Sequence, residues 1–157
     1  RDWLLPLLRH SQADAKLGLL GPATNHIGNE SKVPVFYETM EHMPAAARRY
    51  KLPRMGQLYP MKTLAFFCVM MPRAVYEKVG PMDESFGRGF FEDDDYSRRI
   101  EQQGLRLACA DDVLVHHHLS ASFDKVDNGE RQALFERNKA YYESKWGPWI
   151  PHRYRTP

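Results

Sequence analysis

Residues 64–71 read LAFFCVMM, an unbroken apolar run that ends at Pro72. A run without polar alternation is typical of a strand buried on both faces, whose sheet must be covered by helices on both sides. Residues 72–80, PRAVYEKVG, predict a short helix that begins beside a proline and ends at a glycine. These two adjacent elements favour an α/β fold.

The elements expected on either side of this stretch agree with that class. Hydrophobic spacing predicts a strand at residues 17–20, and either two strands or one bent strand within 105–117. Further helices are predicted near residues 3–8, over 37–50 with an interruption at Pro44, over 92–103 and over 130–146. The sequence therefore predicts a mixed sheet covered by helices.

Length and composition limit the possible classes of protein. A chain of 157 residues with 43% hydrophobic side chains can form one core, so we expect a single domain over residues 1–157. The net charge is only +2 and the basic residues are scattered, which does not favour a nucleic-acid partner. No apolar run approaches the ~20 residues of a membrane span. Cys68 and Cys109 lie in apolar stretches, which favours reduced thiols and a cytoplasmic location.

Four consecutive acids, Glu92 to Asp95, follow a glycine-containing loop. Acids in a first helical turn stabilise the positive end of the helix dipole, and Asp94 and Asp95 each have an arginine four residues later. Glu92 and Asp93 lack such a partner. Because neighbouring carboxylates raise one another's pKa, Asp93 is the candidate general base.

Three histidines, His116 to His118, lie at the end of the last predicted strand. Strand alternation places His116 and His118 on one face and His117 on the other, and we expect the first two to face Glu92 and Asp93. Two converging imidazoles can bind a metal, although histidines at a strand end are also often simply solvated. The aromatic tail at Trp146, Trp149, His152 and Tyr154 can either stack on a sugar or base or pack in the fold.

Several motifs together resemble the second half of an inverting nucleotide-sugar glycosyltransferase of the family 2 type, with the GT-A fold. They are GPMDESF at 80–86, FEDDDY at 91–96 and VLVHHH at 113–118. LGPATN at 20–25, Asn138 and KWG at 145–147 extend the similarity over nearly the whole chain.

The resemblance implies a role for each candidate residue. Asp93 would deprotonate the acceptor hydroxyl, and Glu92 would contact the acceptor. His116, with His118 as the alternative on the same face, would help to bind a divalent metal, Mn or Mg, on the donor diphosphate. The implied partners are a nucleotide-sugar donor and a glycan or other hydroxyl acceptor.

Such enzymes begin with a nucleotide-binding region and an Asp-x-Asp motif, and neither precedes LGPATN in these residues. We therefore expect residues 1–157 to form the acceptor-side half, inactive alone and with apolar surface that favours self-association. A non-catalytic metal- or carbohydrate-binding module is the alternative. A metal-dependent hydrolase would require further ligands.

Overall fold

The chain folds into an α/β structure, which confirms the expected class. The computed structural model describes residues 3–118 and 127–155. The helices are α1 (Leu4–Ala13), α2 (Met43–Lys51), α3 (Arg73–Val79), α4 (Glu92–Gln102) and α5 (Asn128–Trp146). The strands are β1 (Leu17–Ala23), β2 (Leu58–Met61) and β3 (Arg106–Leu114).

The three strands form one mixed sheet with the order β1-β3-β2. β1 runs parallel to β3, and β2 runs antiparallel to it. The region 105–117 contains one strand, not two. Pro22 pairs with Ala110 whereas Ala23 pairs with Leu114, so β3 bulges between these two positions.

Alternation along the strands gives the sheet two apolar faces. Leu17 of β1 and Ala108 of β3 belong to a buried cluster with Leu7 of α1. On the other face, Leu107 packs in a larger cluster that includes Ile100 of α4. α1 therefore covers one face, while α2, α3 and α4 contribute to the opposite one.

Two buried aspartates lie at the bulge of β3. Asp111 forms an ion pair with Arg155 at 2.7 Å, and Asp112 contacts His10 of α1 at 2.9 Å. Asp112 also accepts a hydrogen bond from the backbone N–H of Gly56 at 3.0 Å. These contacts compensate the cost of burying two carboxylates, and they connect the C-terminal segment to the sheet.

The strand predicted at residues 64–71 was wrong. Within this segment, only Met70 is paired with a strand, through an isolated bridge to Leu20 of β1. The backbone N–H of Leu64 instead donates to the hydroxyl of Ser97 at 3.3 Å. Leu64, Phe66 and Val69 still pack in the larger cluster, so their apolar character reflects burial in an irregular segment.

The surface of α1 is apolar on its outer side. Trp3, Leu4, Leu5 and Leu8 are all at least 40% exposed.

Both cysteines are free; Cys109 is buried and Cys68 is partly buried. Over the described ranges, no helix combines the length and apolar character needed to cross a bilayer.

Candidate active site

The turn before α4 has an unusual backbone. Gly87 and Gly89 have positive φ angles of 68° and 141°, and Phe90 and Phe91 follow with φ angles of 67° and 73°. Glycine tolerates this region of conformational space, but a bulky aromatic residue does so only at an energetic cost. Two consecutive strained aromatic residues directly before Glu92 suggest that this turn serves a function.

Asn138 of α5 stabilises the strained turn. Its side chain is fully buried, and its amide Nδ2 lies 2.7 Å from the carbonyl of Phe86, 2.6 Å from that of Gly89 and 3.1 Å from that of Phe90. Its Oδ1 accepts hydrogen bonds from Arg137. One side chain thus satisfies several carbonyl groups that the turn leaves without backbone partners.

The acids that begin α4 face different surroundings. Asp95 is fully buried and accepts a hydrogen bond from the Trp146 indole at 2.9 Å. It also pairs with Lys145 and, at 3.8 Å, with Arg99. The expected Asp95–Arg99 pair is therefore present, and Asp95 connects the start of α4 to the end of α5.

The expected pair between Asp94 and Arg98 is not formed in the part of the chain that the structure describes. Asp94 accepts a hydrogen bond from the Thr63 hydroxyl at 3.1 Å and pairs with His152, also at 3.1 Å. Arg98 contacts Glu101 instead, at 3.4 Å. Asp94 points toward the C-terminal segment, out of reach of the arginine one turn later.

Glu92 and Asp93 line a cavity of about 280 Å³. The pKa of Asp93 is raised to about 8. Burial is the largest cause, and repulsion from the charges of Asp94 and Glu92 adds to it. Burial raises the pKa of Glu92 as well. The Oδ1 atom of Asp93 accepts a hydrogen bond from the backbone N–H of Asp94 at 2.9 Å, which fixes the orientation of the carboxyl group.

The cavity combines aromatic walls with unpaired polar atoms. Phe90, Phe135 and Trp149 line it together with the acids. The Oε2 atom of Glu92 and the indole N–H of Trp149 are buried without a hydrogen-bond partner among the described residues. A buried carboxylate oxygen without a donor is costly, and a ligand hydroxyl group would supply one.

His152 is a neighbour of these carboxylates that can carry a positive charge. It lines the same cavity and its ring packs edge-on against Trp149, with 5.8 Å between ring centroids. Burial alone lowers the pKa of His152, but the hydrogen bond to Asp94 and the charges of Asp94 and Asp93 raise it overall. The charge of His152 in turn opposes the rise in the pKa of Asp93.

The three histidines after β3 alternate as expected. His116 and His118 line one cavity of about 630 Å³, with 6.2 Å between their ring centroids. His117 lies elsewhere, stacked on Phe67 and hydrogen-bonded through Nδ1 to the carbonyl of His26. The expectation that His116 and His118 face Glu92 and Asp93 was wrong, because the two pairs line different cavities.

The histidine pair does not form a complete metal site. Across residues 3–118 and 127–155, no three His, Cys, Asp or Glu side chains are placed to share a metal ion. The Nδ1 atom of His116 forms a short hydrogen bond with the Tyr37 hydroxyl, which orients the ring. The described residues thus offer at most two imidazoles, which fits a hard Mn or Mg ion poorly.

Several residues of the Asp93 cavity were not predicted as site residues. Thr63 is distant in sequence, and only the fold brings it to Asp94. Trp149 and His152 belong to the aromatic tail, whose composition allowed either packing or ligand stacking. The structure places both of them beside Asp93.

Comparisons with known proteins add a distant relative. No family model matches the chain. It is similar to the uncharacterized protein y4gI of Sinorhizobium fredii (strain NBRC 101917 / NGR234), with 28% identity over 93 residues, 59% of this chain and 10% of that protein. The match thus spans about one tenth of the relative's length, and the relative's name states no activity.

Proposed function

We propose that the chain is the acceptor-side part of an inverting GT-A glycosyltransferase that transfers a sugar from a nucleoside-diphosphate sugar to a hydroxyl acceptor. In this proposal Asp93 is the general base and Glu92 binds the acceptor. His116 and His118 are the proposed contributors to a divalent metal site that requires further ligands. The motifs at 80–86, 91–96 and 113–118 support this assignment.

The observation that carries the proposal is the environment of Asp93. A carboxyl group with a pKa raised to about 8 lies in a cavity beside an unpaired carboxylate oxygen of Glu92. A general base works best when its pKa is near the operating pH. The strained turn at Phe90 and Phe91 fixes the backbone from which both acids project.

The proposed reaction is a single displacement. A hydroxyl group of the acceptor donates a hydrogen bond to Asp93, which takes the proton as the oxygen attacks the anomeric carbon. The bond between that carbon and the diphosphate oxygen breaks, and the nucleoside diphosphate leaves with the electron pair. Neutralising charge on this leaving group is the chemistry that a divalent metal supplies when bound. Glu92 orients the acceptor, while Trp149 and Phe135 provide apolar surface beside it.

Asp93→Asn in the full-length protein tests the proposal. We expect turnover to fall by ~100 to 10,000-fold, because the amide cannot accept the proton. Donor binding should change little, since Asp93 acts on the acceptor. Steady-state kinetics with a nucleotide-sugar donor would measure the first effect, and donor titration would measure the second.

Glu77→Gln is the matched control, because it exchanges an exposed carboxylate on α3 for an amide away from the cavity. Its turnover should equal that of the unmodified protein. A loss of less than threefold in Asp93→Asn would show that Asp93 is not the base.

The aromatic lining of the cavity also suits a carbohydrate-binding module without catalysis. Phe90, Phe135 and Trp149 provide the flat apolar surfaces on which sugar rings pack. Such a module would bind saccharides but would show no transfer with any nucleotide-sugar donor in the full-length protein. Transfer that is lost in Asp93→Asn therefore separates the two functions.

A further inference from the structure

A cavity of about 540 Å³ lies between the segment at residues 32–36, the C-terminal end of α2 and the C-terminal segment. It shares no lining residue with the cavity of Asp93. It adjoins the cavity of His116 and His118, because Asn25, Val35 and Phe36 line both.

The walls of this cavity are largely apolar and aromatic. Val33, Val35, Phe36 and Tyr154 contribute to them. Phe36 is 82% exposed, which is unusual because phenylalanine is usually buried. An apolar ligand that contacts Phe36 would remove this surface from water and gain binding free energy.

All charged residues that line the cavity are basic: Lys32, Arg54 and Arg155. Arg155 pairs with Asp111 of β3. Lys32 lies 5.1 Å from the ring centroid of Tyr154, and Arg54 lies 4.2 Å from that of Tyr50. Neither Lys32 nor Arg54 has a carboxylate within 4.0 Å among the residues described. The rim of the cavity therefore carries positive charge that no acid of the lining offsets.

Two of the lining residues have buried donors that are not used. The hydroxyl of Tyr50 and the Nη2 atom of Arg155 have no hydrogen-bond partner in the described part of the chain. Tyr50 is only 8% exposed, so its hydroxyl has little access to water. Unsatisfied buried donors are costly, and an oxyanion is the acceptor that suits a phenol and a guanidinium together.

We propose that this cavity binds an organic anion that has a flat apolar body and a single oxyanion head group. The body packs against Phe36 and Tyr154. The head group lies on the side of Tyr50 and Arg155 and accepts from their unused donors, with the charges of Lys32 and Arg54 beside it. The amide of Asn25, the one side-chain amide in the lining, hydrogen-bonds to the backbone of His117. It is thus not free to recognise a nucleobase, and an apolar body fits better.

Three probes test the proposal on the purified chain by calorimetry. They are 1-naphthyl phosphate, which has both parts, 1-naphthol, which has only the body, and inorganic phosphate, which has only the head group. We expect 1-naphthyl phosphate to bind at least about tenfold more tightly than either of the others. Equal affinity for 1-naphthol would overturn the anionic part of the proposal. Binding of uridine monophosphate as tight as that of 1-naphthyl phosphate would overturn the apolar part.

Substitutions test whether the ligand binds in this cavity. Phe36→Ser and Lys32→Gln should each weaken 1-naphthyl phosphate binding about fivefold. Phe36 is exposed and Lys32 is half-buried. Arg73→Gln, which removes an exposed charge from α3 outside the cavity, is the control and should have no effect. Amide NMR spectra check that each variant is folded and should show ligand-induced shifts near residues 32–36 and 50–54. Shifts confined to residues 90–93, or unchanged affinity in Phe36→Ser, would contradict the proposed site.

Discussion

At Asp93, the folded chain favours the protonated carboxyl group. Its pKa is 3.8 in an ordinary environment and rises to about 8 here through burial and the neighbouring acids. Between these two values the folded state retains a proton that the unfolded state has lost. The contribution of Asp93 to the free energy of unfolding therefore falls as the pH rises from about 4 to 8.

Asp93→Asn removes this penalty. We expect the variant to be nearly as stable as the unmodified chain at pH 4 and more stable at pH 8, by on the order of 2 kcal/mol or more. The amide oxygen can still accept the hydrogen bond from the backbone N–H of Asp94. Urea denaturation at the two pH values measures the difference. A variant that is less stable at pH 8 would show that Asp93 is ionised without cost.

Asp95→Asn should have the opposite effect on stability. Asp95 is fully buried, and its carboxylate contacts Trp146, Lys145 and Arg99. A neutral amide leaves both cations without their buried partner, so we expect a loss of about 2 kcal/mol. Urea denaturation at pH 8 of the two variants, Asp93→Asn and Asp95→Asn, compares the same chemical change at neighbouring positions. Equal effects would contradict the distinct environments of these two acids.

The spacing of charged residues in the sequence distinguished these acids only in part. The absence of an arginine four residues after Glu92 and Asp93 singled them out. These two acids line the cavity, but Asp94 lines it as well. Spacing also paired Asp94 with Arg98, which was wrong because Thr63 and His152 approach Asp94 from other parts of the chain. Local spacing describes contacts within one helix, whereas contacts from distant segments depend on the complete fold.

Among the elements, α5 acts on the site through the turn at residues 86–91. We expect Asn138→Ala to destabilise the chain by about 2 kcal/mol, because carbonyl groups of the turn would lose their donor in a buried position. Gln132→Ala, an exposed change on the same helix, is the control. Urea denaturation measures both, and amide NMR shifts at Phe90 and Phe91 report the turn itself. Unchanged shifts in Asn138→Ala would show that the turn is fixed by other contacts.

The elements also differ in how far the sequence predicts them. α3, α4 and α5 were expected from caps, prolines, glycines and helical spacing, and the structure confirms them. The strand predicted at 64–71 was wrong because an apolar run indicates burial and not a particular backbone conformation. A buried irregular segment has the same pattern as a buried strand. β2 was missed because its four residues, LYPM, are short and contain Pro60, which disfavours an interior strand.

In the whole molecule, the C-terminal segment connects the site to the sheet. His152 reaches Asp94 at the start of α4, and Arg155 reaches Asp111 at the bulge of β3. The cavity of Asp93 therefore depends on contacts between residues more than 40 positions apart. The histidine pair after β3 lines a different cavity, and the two sets of residues offer no common metal site in the described ranges.

We therefore expect the chain to bind a nucleotide-sugar with manganese only weakly. Two imidazoles without a carboxylate ligand bind a hard divalent ion poorly, so the dissociation constant should exceed about 100 µM. Calorimetric titration of the purified chain with uridine diphosphate sugars and manganese measures this. His116→Ala combined with His118→Ala should abolish the residual manganese binding, whereas His42→Ala, at an exposed histidine outside the lining of that cavity, should leave it unchanged. Micromolar binding would instead place a complete donor site within these residues, and it would contradict the proposal that they form only the acceptor-side part of a glycosyltransferase.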